Sequence, residues 1–287
     1  MEIKKIWAAY FSATGTTKKV VEGIAAAIAD RMGTDTGKSG PELEVYDFTL
    51  PDSREKPLRF GPGDLVVFGT PVYAGRVPNV LLKYLDTIEG NGAAAVPVVL
   101  YGNRDYDDAL IELRDILEKA GLHIAAAAAF IGEHSFSSTL AGGRPDNADM
   151  AAAFEFAEKV TDKIAGMVKG APDSDAALPP VDVKGIPSPY RGYYQPRDRQ
   201  GNPVDIRKVK PLTGDACTNC LICADICPMG SVSRVDVGEF TGICIKCGAC
   251  IKKCPVQAKY YEDEGFLYHK RELEEGLTRR AEPEWFL

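Results

Sequence analysis

Eight cysteines carry the clearest chemistry in this 287-residue chain. Cys217, Cys220, Cys223 and Cys227, with Pro228 behind the last, are followed by Cys244, Cys247, Cys250 and Cys254, with Pro255 behind the last. This is one pattern, C-x2-C-x2-C-x3-C-P, written twice. Three thiolates on one tight loop reach three corners of a four-iron, four-sulfide cube, and the fourth, after a longer spacer, ligates the other cube. The pattern therefore assigns one [4Fe-4S] cluster to Cys217, Cys220, Cys223 and Cys254, and a second to Cys244, Cys247, Cys250 and Cys227. Two zinc sites would ask for short cysteine pairs set well apart, which this run does not offer. A disulfide framework belongs to an oxidising compartment, and nothing in the chain reads as secreted. All eight cysteines fall inside the two motifs, so none is left over as a catalytic thiol.

A second group of residues suits an anion. Ser12-Ala13-Thr14-Gly15-Thr16-Thr17 follows an apolar run, Ile3 to Tyr10, and precedes a stretch in which Val20, Val21, Ile24, Ala27 and Ile28 recur with helical spacing. A hydroxyl-rich loop between strand and helix turns backbone N–H groups and the helix dipole toward a phosphate. No lysine stands at the Walker position, so a magnesium-nucleotide site is a poor match. Gly33 to Ser39 mimics such a motif but is one residue short of it and follows a helix; it reads as a helix stop and turn. Two further loops stand at the ends of expected strands, Thr70 to Pro78 around Tyr73 and Tyr101 to Tyr106 around Asn103.

The elements that must position these residues alternate. Strands are expected at Ile3 to Tyr10, Leu43 to Phe48, Asp64 to Gly69, Ala95 to Leu100 and His123 to Phe130. Helices are expected after the first loop, from an Asn79 cap to about Ile88, over Asp107 to Ala120 with Gly121 as its stop, and from about Ala148 to Lys169 behind Asp146 or Asn147. Such alternation builds a doubly wound parallel sheet, in which ligands sit beyond the carboxyl ends of the strands where the strand order reverses. The loops after the first and third strands flank that point.

On these motifs the N-terminal part, from Ile3 to about Gly170, resembles the flavodoxins, and Leu212 to Tyr261 resembles the bacterial two-cluster ferredoxins. The resemblance implies an α/β fold of strand order 2-1-3-4-5 joined to a small α+β cluster domain. It implies FMN, with its phosphate held by Ser12, Thr14, Gly15, Thr16 and Thr17. It also implies ring contacts from Pro71, Val72, Tyr73, Ala74 and Gly75, with Tyr73 stacked on the isoalloxazine, and from Gly102, Asn103, Arg104 and Tyr106. The chain as a whole looks like a flavodoxin–ferredoxin fusion of the kind found in anaerobes, passing single electrons between two [4Fe-4S] clusters and FMN. A rival reading makes the flavin the catalytic centre of a reductase for a small acceptor. Its support is the long loop Ile131 to Asp146, where His134 is placed to assist protonation near the ring, together with the linker tyrosines. A third makes the first domain a binding scaffold without flavin. No G-x-G-x-x-G follows a strand, so no nicotinamide site is expected.

The organisation expected is residues 1–170 for the flavin domain, 171–211 for a proline-rich linker, 212–261 for the cluster domain and 262–287 for a charged tail ending in Trp285, Phe286 and Leu287. The small domain cannot build much of a core, so its clusters hold it folded. Net charge is −7, yet Lys184 to Lys210 carries seven basic residues against Asp198 and Asp205. Ile186, Tyr190, Tyr193 and Tyr194 make that linker a semi-rigid strap lying along acidic surface of its own chain or of a partner, not a nucleic-acid site. Lys246, Lys252 and Lys253 beside the second cluster suggest docking to an acidic redox partner. No run is long enough for a membrane span or a signal segment, which points to a reducing cytoplasm. Donor, acceptor and a homodimeric state are left open.

Overall fold

The computed structural model describes residues 2–36, 40–170 and 180–287. The elements of the first domain are β1 (Lys5–Tyr10), α1 (Thr16–Thr36), β2 (Glu42–Asp47), β3 (Asp64–Pro71), α2 (Asn79–Leu85), β4 (Ala94–Tyr101), α3 (Ala109–Lys119), β5 (His123–Ile124), β6 (Ala127–Ile131) and α4 (Asn147–Gly170). After the linker come β7 (Leu212–Thr213), α5 (Ile222–Asp225), α6 (Ala249–Lys252), β8 (Lys259–Tyr260), α7 (Glu264–Gly276) and β9 (Glu284–Phe286).

The main sheet runs β2-β1-β3-β4-β6-β9. Its first five strands are parallel in the expected 2-1-3-4-5 order, the fifth being split into β5 and β6, both paired with β4. The Ala125 N–H still donates to the Ala95 carbonyl at 2.8 Å, so the ladder carries across the break. Strand residues alternate between two apolar layers: Ile6, Ala8 and Tyr10 face α1 and α4, and Ala9 and Phe11 face the other side. Fully buried parallel strands need such apolar runs on both faces. The second layer also takes in Val181 and Val183 of the linker, Cys247 and Ala249 of the cysteine region, and Ala281, so one core spans both halves of the chain.

Several local expectations shift. Helix α2 begins at Asn79 behind Pro78 and ends at Leu85, so Asn79 is its first residue and not its cap. Helix α1 runs through Gly33 to Thr36; the rest of the expected turn, with residues 171–179 of the linker, lies outside the described residues. Asp146 caps α4, its carboxylate accepting from the N–H groups of Ala148 (3.0 Å) and Asp149 (3.1 Å).

The strap packs against its own chain. The buried Asp108 carboxylate accepts from Ile186 N (2.9 Å) and Arg191 N (2.8 Å), and Tyr193 donates to the Val77 carbonyl (3.0 Å). Arg191 pairs with Asp108 and Arg199 with Glu272, so the basic run lies on acidic side chains of this chain.

The charged tail is not a tail. Asp263 caps α7 by accepting from Phe266 N (2.8 Å), and Phe266 and His269 bury on its inner face. The chain then returns to the first domain, where β9 pairs antiparallel with β6 and Trp285 stacks on Phe156 with ring centroids 6.1 Å apart.

Candidate functional site

The two cysteine motifs fold alike. Asn219 and Lys246 share φ of 54° and 55°, Leu221 and Gly248 share 64° and 74°, and Gly230 and Gln257 share 58° and 52°. Ser231 N donates to Cys227 Sγ at 3.3 Å and Ala258 N to Cys254 Sγ at 3.2 Å, each four residues past the fourth cysteine of its run. Cys217, Cys220, Cys223 and Cys254 line one hollow, and Cys227, Cys244, Cys247 and Cys250 line another. Each fourth cysteine thus stands with the three of the other motif. Among the described residues no His, Cys, Asp or Glu trio closes to the spacing of a single ion; the sulfurs surround hollows instead.

The two hollows differ in exposure. Cys220 of the first set is exposed, whereas Cys247 and Cys250 of the second are buried. Burial pushes both of those thiols up to about 12, so they need adjacent iron to serve as thiolates. Tyr261 lines the second hollow, and among the described residues its buried hydroxyl meets no nitrogen or oxygen acceptor, only the neighbouring Cys244 thiol. Its ring is clamped on Phe266 at 3.9 Å, which leaves an O–H donor beside the place of a cluster sulfur. The donor set and this hydroxyl both fit a [4Fe-4S] group.

At the first loop the N–H groups of Thr14, Gly15, Thr16 and Thr17 find no acceptor among the described residues. They cluster at the start of α1, where a helix leaves its first donors unsatisfied. Ser12 accepts from Lys18 N at 2.9 Å, which leaves its hydroxyl hydrogen to donate. Gly15, at φ 99°, has open space where a side chain would stand. This cradle fits a phosphate.

Thr14, Thr16 and Thr17 line a narrow hollow with Pro71, Val72, Tyr73, Gly102, His134 and Cys247. The loops expected to meet one ligand therefore converge, and a cysteine of the second set joins them. The hollow abuts a cavity of about 860 Å³ that shares Val72, Tyr73, Tyr101, Gly102, His134 and Ser135, and adds Ala74, Gly75 and Arg104. That volume falls in the range of small-molecule sites. Tyr73 stands at the join, half-buried, its phenol pushed well up by burial and by the nearby thiols of Cys247 and Cys244.

Two expected ring contacts are otherwise engaged. The Asn103 amide donates to the carbonyls of Leu277 (3.0 Å) and Arg279 (2.8 Å) and accepts from Ala281 N (3.0 Å). Tyr106 is 1% exposed and donates to Glu284 Oε2 at 2.8 Å. Both hold the returning C-terminal segment, and neither lines the cavity.

His134 does line it, in both hollows. Its Nδ1 accepts from Phe136 N at 3.1 Å, which fixes the Nε2–H tautomer of the neutral ring. Burial, with the charges of His269 and Lys252, lowers its pKa to about 4. At neutral pH it is a hydrogen-bond donor, not a proton reservoir. The loop carrying it is pinned by Lys252, whose ammonium pairs with Glu133 and donates to the carbonyls of His134 (2.8 Å) and Ser137 (2.8 Å). Lys246 donates likewise to the carbonyls of Arg207 (2.9 Å) and Cys244 (3.0 Å). The lysine face expected for an acidic partner is thus reduced to Lys253, because the other two ammonium groups hold this chain together. Sequence spacing had no signal for Cys247 and Ser135 as cavity walls, since both arrive from distant elements.

Family models described as 4Fe-4S binding domain match residues 214–230 and 240–260. Comparison with curated proteins gives no match. Among solved structures, a flavodoxin from the domain Archaea aligns at 12% identity over 56% of this chain and 99% of its own, with a TM-score of 0.37. A Streptococcus pneumonia TIGR4 flavodoxin aligns at 19% identity over 55% and 97%, with a TM-score of 0.36. An NADH:FMN oxidoreductase aligns at 17% identity over 56% and 89%, with a TM-score of 0.38. No described helix is long and apolar enough to cross a membrane. The first domain thus has the parallel 2-1-3-4-5 sheet of a flavodoxin-like fold, and the region after the linker carries two segments matched by 4Fe-4S binding domain models.

Proposed function

We propose that the chain passes single electrons between an external redox protein and an FMN through two [4Fe-4S] clusters of its own. Bound FMN would supply a carrier able to take electrons singly or in pairs. The observation that carries this reading is the shared wall: Cys247 of the second set lines the same hollow as Thr14, Tyr73 and Gly102. The first set, with Cys220 exposed, faces an external donor or acceptor, and the second set, with Cys247 and Cys250 buried, stands between it and the flavin loops. Cys217, Cys220, Cys223 and Cys254 would ligate the outer cluster, and Cys227, Cys244, Cys247 and Cys250 the inner one. Ser12 and Thr14 to Thr17 would hold the phosphate, with Tyr73 and the Gly102 loop against the ring.

The chain's own residues hold this geometry. A Cβ on Gly248 would lie 2.3 Å from the Ser135 carbonyl oxygen, so the inner cysteine loop and the His134 loop touch backbone to backbone. Lys252 locks the same contact. Within one chain, the effective concentration of one centre for the other is set by this fixed contact and not by diffusion.

The test is an anaerobic dithionite titration that follows flavin absorbance and the cluster EPR signals together. Two clusters and one flavin per chain in rapid exchange support the relay; flavin left oxidised beside reduced clusters rejects it. The cavity of about 860 Å³, walled by Tyr193, Tyr194 and His269 beyond the flavin loops, favours a second reading as a reductase of a small acceptor. Its test is acceptor-dependent reoxidation of the reduced protein, lost when the cavity is narrowed by Leu273→Trp while internal exchange persists.

A further inference from the structure

The two cysteine motifs are a repeat, and among the residues lining the two hollows one position breaks its symmetry in charge. Equivalent cysteines lie 27 residues apart, so Lys259 of β8 corresponds to Val232. Lys259 lines the hollow of Cys217, Cys220, Cys223 and Cys254, and Val232 lines the hollow of the other four cysteines. The same backbone place thus presents an ammonium to one cluster site and two methyl groups to the other.

Lys259 is 3% exposed. Its ammonium donates to Thr213 Oγ1 at 2.6 Å and to the Val237 carbonyl, and lies 5.4 Å from the centre of the Phe240 ring. Among the described residues no carboxylate comes within ion-pair distance of it. A buried charge is costly unless an opposite charge answers it, and neutral oxygens answer only part. Four thiolates around a [4Fe-4S] core leave that group with net negative charge, and the first hollow is where it would sit. The lysine is intelligible as the partner of that charge.

We propose that Lys259 is the built-in counter-charge of the outer cluster and holds its reduction potential above that of the inner one. This rests on the reading that both hollows take [4Fe-4S] clusters. A fixed cation favours the state with one more electron, and it does so most strongly in a low-dielectric surrounding. The electron is then held preferentially at the outer site, where a protein partner meets it, until a second arrives.

The experiment is anaerobic redox potentiometry with EPR on the holoprotein, comparing wild type with Lys259→Met, Lys259→Val and Lys259→Arg. Iron and sulfide content and the thermal midpoint are measured on each. The expected result is a negative shift of one cluster potential in the methionine and valine variants, closing the gap between the two. The arginine variant should keep the wild-type gap. A purely structural pin would change the thermal midpoint and leave both potentials in place, which overturns the inference. An equal shift of both potentials also overturns it. Wild-type protein lacking the iron of two cubes would overturn the two-cluster reading itself, and the inference with it. If the valine variant fails to load iron, the methionine and arginine pair still decides, since both side chains keep the length of the lysine stem.

Discussion

Gly248 shows how a single residue joins two halves of the molecule. Its φ of 74° does not by itself demand glycine, because Leu221 adopts 64° at the same place in the first motif. The Ser135 carbonyl does demand it, leaving no room for a Cβ. Gly248→Ala should therefore destabilise the holoprotein by about 1–3 kcal/mol, as overpacking does, and slow flavin reduction by the clusters. Stopped-flow absorbance reads that rate. His134 sets a second residue-scale expectation. Its folded pKa of about 4 lies below the ordinary 6.5, so the unfolded chain binds the extra proton first. Stability from this group is complete above pH 6.5 and declines as pH falls toward 4, by up to roughly 3 kcal/mol. Denaturant midpoints across that window should show the decline in wild type and lose part of it in His134→Gln.

Among the elements, β9 and the segment leading to it depend on Asn103. That side chain was legible in sequence as part of a ligand loop, and its spacing carried no hint that three of its hydrogen bonds go to residues 277, 279 and 281. The five expected strands and the cysteine loops were visible because their signals are local, in apolar runs between turn residues and in covalent spacing. The partners of Asn103, Tyr106 and Lys252 were not, because each lies more than a hundred positions away. Helix α7 was also missed, since its charged surface masks the buried stripe of Phe266, His269 and Leu273. Asn103→Ala removes three hydrogen bonds, one of them fully buried, and should cost about 2–3 kcal/mol. Limited proteolysis should then cut between 277 and 283 before the main sheet opens.

For the whole molecule, the linker, the cysteine region and the first domain share one apolar layer. The cluster region has short elements and little core of its own, so metal binding is a large part of its folding free energy. Chelating the iron should unfold residues 212–260, expose Val181 and Val183, and lower the midpoint of the sheet as well. Two probes, far-ultraviolet circular dichroism and flavin fluorescence, should change together and not in separate steps. A flavin transition that stays at its holoprotein midpoint after iron removal would show the two halves to be energetically independent.

The returning strand has a consequence for how the chain is made. Strand β6 presents Ala127, Ala128 and Ala129 along an edge that β9 later covers. An uncovered edge is a template for pairing with other chains. Synthesis runs from the first domain through both cysteine motifs before Glu284–Phe286 leaves the ribosome. A nascent chain therefore carries an open sheet edge throughout the interval in which its iron-binding loops emerge, and closing that edge requires α7 and the segment beyond it to be seated. Iron starvation during synthesis should then appear first as aggregation of a chain whose first domain is otherwise able to fold.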